Sequence, residues 1–80
     1  MTKAAEQTEQ TSTVFRAQLG RHQTLLENSE TFNTIEEAKQ WAEKNFGRLG
    51  SIWVNVQEKR PDMKRFRLVD ALYADGWSFA

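Results

Sequence analysis

Apolar and polar residues trade places with a period of two from Thr13 to Leu19, setting Phe15, Ala17 and Leu19 on one side and Val14, Arg16 and Gln18 on the other. That alternation predicts a half-buried strand. Gly20-Arg21-His22 reads as the turn that ends it. A second extended segment, Gln23 to Phe32, has a weaker pattern, because Glu27-Asn28-Ser29-Glu30 is polar throughout and suits a bulge or loop. The period then changes. Ile35, Ala38, Ala42 and Phe46 recur at helical spacing, with Trp41 bordering the stripe. Thr34 stands three residues before Glu37, the capping-box spacing, and two glutamates in the first turn suit the positive end of the helix dipole. Lys44 and Gly47 supply the stop. Two alanines on the buried stripe let such a helix lie close on a sheet.

Beyond Arg48-Leu49-Gly50, the stretch Ser51 to Gln57 carries the strongest strand signal in the chain, Ile52, Val54 and Val56 alternating with Trp53, Asn55 and Gln57. A loop from Glu58 to Lys64 holds the only proline, Pro61. Arg65 to Tyr73 fits two patterns: Phe66, Val69 and Tyr73 make a helical stripe, while Arg65, Arg67, Val69 and Tyr73 alternate with Phe66 and Leu68 as in a strand. The strand is preferred, because Asp75-Gly76 is a tight-hairpin signal and Trp77-Ser78-Phe79 can return beside it. The predicted fold is α+β: a four- to five-stranded antiparallel sheet with one helix on one face, in ββαββ order, forming a single domain over residues 12–80. Residues 1–11 hold no large apolar side chain after Met1, so they are expected to be a flexible tail.

Composition narrows the function. Eighty residues without cysteine allow one core, no disulfides and no thiolate zinc site. No apolar run nears the ~18 residues that cross a bilayer, and Met1 to Gln10 lacks the basic start and apolar stretch of a secretory signal, so a cytoplasmic location is expected and no membrane partner. The formal charge is zero, yet residues 1–43 carry four basic and seven acidic groups, a net −3, and residues 44–80 carry seven and four, a net +3. The chain has no glycine-rich phosphate loop, serine elbow, zinc-binding His pair or thiol nucleophile, and its lone His22 has no second ligand beside it. Neither catalysis nor a cofactor nor a bound metal is expected. Trp41 and Trp77 adjoin buried stripes and read as core edges or lids.

One helix covers one sheet face, so the other stays open. With Ile52, Val54 and Val56 toward the helix, Trp53, Asn55 and Gln57 face away. If Phe66 and Leu68 join the same core, Arg65 and Arg67 face away too, with Arg16 and Gln18 beside them. Trp and Arg together are favoured at binding hot spots; the plainer reading lays Trp53 flat over its neighbours as a lid. The densest charge, Lys59-Arg60-Pro61-Asp62-Met63-Lys64-Arg65-Phe66-Arg67, sets five cations against one acid around an aromatic, a composition that can follow phosphates or an acidic protein surface. The expected partner-binding residues are Trp53, Asn55, Lys59, Arg60, Lys64, Arg65 and Arg67.

The stretch Glu30-Thr31-Phe32-Asn33-Thr34-Ile35-Glu36-Glu37-Ala38-Lys39-Gln40-Trp41-Ala42, followed by Ser51-Ile52-Trp53-Val54-Asn55-Val56, resembles small phage-encoded inhibitor proteins. Anti-CRISPR proteins and phage inhibitors of host RNA polymerase include members with a strand pair, a T-x-E-E-A helix and further strands. The resemblance spans residues 13–57, is one of pattern, and carries over no individual functional residue. It implies a non-catalytic inhibitor that binds a host protein or ribonucleoprotein complex; separately, the open face allows either a monomer or a homodimer that hides Trp53. The alternative is a small nucleic-acid-binding protein using the same basic and aromatic residues.

Overall fold

Period-two segments pair into a sheet and the period-3.6 segment packs on it. The computed structural model describes residues 12–78; the expected tail over residues 1–11, and Phe79 of the expected last strand, lie outside the described residues. Strands β1 (Val14–Arg21) and β2 (Thr24–Asn28) form a hairpin, helix α1 (Ile35–Asn45) follows, and β3 (Trp53–Lys59), β4 (Arg67–Tyr73) and β5 (Gly76–Trp77) complete the chain. The sheet is antiparallel throughout, in the order β2-β1-β3-β4-β5. The expected ββαββ order is present, with the two-residue β5 as fifth strand. Between α1 and β3 lies a turn of 3-10 helix, Arg48–Gly50, entered through Gly47 at φ 88°.

The helix begins where its capping residues dictate. Thr34 Oγ1 accepts a hydrogen bond from the Glu37 amide at 3.2 Å, and Glu37 Oε1 accepts from the Asn33 amide at 3.2 Å. The Glu37 amide, which the helix leaves unpaired, and the Asn33 amide just before the cap are thereby satisfied. Ala38 and Ala42, both fully buried, press the helix onto Ala17, Leu19, Val54, Val56 and Leu72. Phe15, Leu26, Phe32, Ile35, Trp41, Phe46, Val69 and Trp77 ring this core as partly buried neighbours. One ion pair lies under the helix: Lys39 Nζ reaches Asp70 Oδ2 at 3.0 Å, and Asp70 Oδ1 also accepts from the Ala71 amide. Lys39 continues over the Trp77 ring, 4.8 Å from its centroid, while Trp77 Nε1 donates to Glu43. Trp77 is thus a lid at the helix edge, as its place beside a buried stripe predicts.

Several boundaries differ from the sequence reading. The turn between β1 and β2 is His22-Gln23, not Gly20-Arg21-His22, and Gly20 lies inside β1 paired to both Leu25 and Trp53. Ile52, expected among the residues beneath the helix, precedes β3 and is 40% exposed. The largest correction concerns β4. Val56 pairs with Asp70, but the next residue, Gln57, pairs with Leu68, so Val69 is one residue too many. This bulge reverses which residues of the first half of β4 face the helix. Phe66 and Leu68, read as core, turn to the opposite face, and Arg67 comes to the helix side opposite Glu58.

Candidate functional site: the open face of the sheet

No described element packs on the face away from α1. Alternation and register place its side chains. Toward one end Leu25, Gly20, Trp53 and Tyr73 run across the strands; next come Asn28, Gln18, Asn55 and Ala71; then Arg16, Gln57 and Leu68; then Val14 and Lys59. Leu25, Leu68 and Tyr73 are 48%, 43% and 44% exposed, high values for large apolar residues on one face.

Trp53 sets the geometry of the first end. Its indole lies flat on Gly20, so closely that a Cβ at that glycine would sit 1.9 Å from the ring carbons. Indole Nε1 donates to the His22 carbonyl at 2.8 Å, tying the ring to the β1–β2 turn, where His22 takes a left-handed backbone at φ 53°. With one ring surface on the sheet and its polar edge satisfied, the indole offers its other surface outward, half-buried overall. Trp53 therefore lies flat over its neighbour, as the lid reading has it. Tyr73 stands one register step beyond the Val54–Leu72 pair, next to Trp53 on the neighbouring strand.

The middle is a band of amides. Gln18 Nε2 donates to Asn28 Oδ1 at 2.8 Å, and Asn55 pairs with Gln18 in register. At the far end Arg16 Nε donates to Gln57 Oε1 at 2.8 Å while its guanidinium lies 4.1 Å from the centre of the Phe66 ring. That cation is held by an amide and an aromatic face rather than by a carboxylate.

Among the described strand residues, no Asp or Glu faces this side. Glu27 pairs with Leu19, Glu58 with Phe15 and Asp70 with Val56, all toward the helix. There they meet cations: Arg48 Nη2 bonds Glu27 at 2.6 Å, and Arg60 and Arg67 both bond Glu58 Oε2. The sheet separates charge by face more sharply than the sequence separates it by half.

The expected site residues are accordingly not one surface. Trp53 and Asn55 lie on the open face, with Lys59 at its end. Lys64 and Arg65 occupy the exposed β3–β4 loop and stand in no ion pair among the described residues. Arg60 and Arg67 are spoken for by Glu58, and Arg60 also approaches Asp62 at 3.7 Å. Arg67 does not flank Trp53, because the β4 bulge turns it to the other side. Sequence reasoning missed Gly20, Phe66 and Leu68 as parts of this face, and it set Tyr73 on the side of Arg65 and Arg67 without counting it among the binding residues. Only Gly20 left a local sign, a glycine inside an otherwise regular alternation, which marks close approach of another group as readily as a turn.

No protein-family model, curated protein or solved structure matches this chain. What the face can bind follows from its own side chains. No pocket opens among the described residues, and none of their His, Asp and Glu side chains gather in threes as a metal ion would need. The arrangement offers a flat platform: aromatic and aliphatic surface at both ends, hydrogen-bonding amides between, the Arg16 guanidinium, and no acid among the described strand residues.

Proposed function

We propose that this protein is a non-catalytic interaction module that docks a macromolecular partner on the open face of its sheet. The observation that supports this reading is the concentration of Leu25, Trp53, Leu68 and Tyr73 on one uncovered face of a domain whose small core is built on the other. Flat faces of this kind gain affinity from a few large side chains surrounded by polar contacts, and Trp and Tyr are prominent among those. The exposed Lys64 and Arg65 extend the surface past Phe66. The more specific reading, an inhibitor of a host complex carried by a phage or mobile element, rests on the pattern resemblance of residues 13–57 alone.

The test compares variants of one face with those of the other. Capture of the partner from bacterial lysate by the immobilised protein should fall tenfold or more for the double variant Leu68→Asn/Tyr73→Ala, whose melting temperature stays close to that of the parent. Undiminished capture by this variant removes the open face from the interaction.

A further inference from the structure

We propose that the ligand of the open face is single-stranded nucleic acid, bound by stacking of bases on Trp53 and Tyr73 and by phosphate contacts from Arg16, Lys64 and Arg65. This inference rests on the docking reading and gives its partner a chemical class. Four observations favour that class over an acidic protein. First, the Trp53 indole is laid flat on Gly20 and pinned through Nε1 to the His22 carbonyl, which presents a fixed ring surface parallel to the sheet. A ring held that way is a stacking platform, suited to the π-face that every base carries. Second, Tyr73 is its neighbour across the β3–β4 pair, so two aromatic residues stand on adjacent strands where successive unpaired bases can each meet one. Third, Gln18, Asn28 and Asn55 line the same face, offering both donors and acceptors to base edges. Fourth, the strands place no carboxylate there, while Arg16 presents a guanidinium whose partners are Gln57 and Phe66 and the adjoining loop adds Lys64 and Arg65. On the strands a polyanion therefore meets a cation and no carboxylate among the described residues, with Asp62 in the loop and Asp75 in the β4–β5 turn at the margins, even though the whole chain has a formal charge of zero. Duplex DNA or RNA fits less well, because its bases are already stacked on one another and unavailable to a flat indole.

Fluorescence anisotropy of a labelled twelve-nucleotide oligothymidylate, with a duplex of equal length as the comparator, tests this. The single strand should bind more tightly than the duplex, and affinity should fall with salt at a slope near −2 on logarithmic axes if about three phosphates are neutralised. Tyr73→Ala should weaken binding about fivefold or more, and Trp53→Phe, which keeps a ring, should weaken it less than Trp53→Ala. The double variant Lys64→Gln/Arg65→Gln should flatten the salt dependence while leaving the effect of Tyr73→Ala intact. Tyr73→Ala carries the test if loss of the indole unfolds the domain, since Tyr73 is exposed. No saturable binding at low salt, equal binding of duplex, or indifference to Tyr73→Ala would each overturn the proposal. A doubled mass in sedimentation with Trp53 shielded from quencher would assign the face to a second copy of the chain instead. Capture of a protein from nuclease-treated lysate, lost in Leu68→Asn/Tyr73→Ala, together with no oligonucleotide binding, would refute the nucleic-acid class and leave the docking reading standing. Failure of both experiments would end both.

Discussion

The two faces of this sheet are built from the same strands and solve opposite problems. Beneath α1 the side chains are small or branched and fully enclosed, with Ala17, Leu19, Val54 and Val56 meeting Ala38 and Ala42. The acids on that side are answered by cations, Asp70 by Lys39, Glu27 by Arg48, and Glu58 by Arg60 and Arg67. On the open face Leu25, Leu68 and Tyr73 leave large apolar side chains 48%, 43% and 44% exposed, Trp53 is half-buried, and no acid among the described strand residues faces that side. The difference teaches where each kind of energy resides. Enclosed apolar surface and answered charges hold the domain together, whereas surface left in water adds little to stability and is available to a partner.

That division has measurable consequences. The largest change in stability should come from the covered side: Leu19→Ala removes a fully buried side chain and should cost about 2–5 kcal/mol in denaturant unfolding, with any remaining folded protein still binding normally. A smaller loss would mean that the helix settles into the vacated space. Next is Gly20→Ala, which sits in the covered strand but acts on the open face. Its methyl group must displace the indole, costing about 1–3 kcal/mol and shifting Trp53 emission toward that of a solvated indole. An unshifted spectrum would show that the ring can tilt without leaving. Thr34→Ala loses the side-chain cap of α1 and should cost about 1 kcal/mol in thermal unfolding, leaving the open face untouched. Smallest of all, Tyr73→Ala should change stability by no more than about 0.5 kcal/mol while changing partner affinity most. A stability loss as large as that of Leu19→Ala would erase the distinction between the faces.

Much of the covered side was legible in the sequence. The spacing of Ile35, Ala38 and Ala42 and the Thr34–Glu37 pair defined the helix, and the alternations around Ala17 and Val54 defined the two central strands, since a stripe or an alternation is a direct image of one buried side. The open face was legible only in part. Trp53 and Asn55 followed from the alternation of β3, but Phe66, Leu68 and Arg67 were assigned to the wrong sides because a single extra residue, Val69, leaves no compositional trace. Gly20 looked like punctuation because its reason for being glycine lies on the neighbouring strand. The cationic run from Lys59 to Arg67 looked uniform, and only the folded chain shows that Arg60 and Arg67 converge on Glu58 while Lys64 and Arg65 do not.

The odd residue in β4 decides which side each residue of the first half of this strand takes on β3. In the observed register, Arg67 sits over Glu58 and the phenyl ring of Phe66 is out with Arg16. Sliding that half along by a single position would absorb Val69 into the ladder, tuck Phe66 and Leu68 inward and swing Arg67 outward. That slide would part Glu58 from Arg67, one of the two guanidinium groups its carboxylate holds, so this ion pair favours the observed register. Excising Val69 would remove the irregularity from the ladder while every other side chain keeps the side it has now.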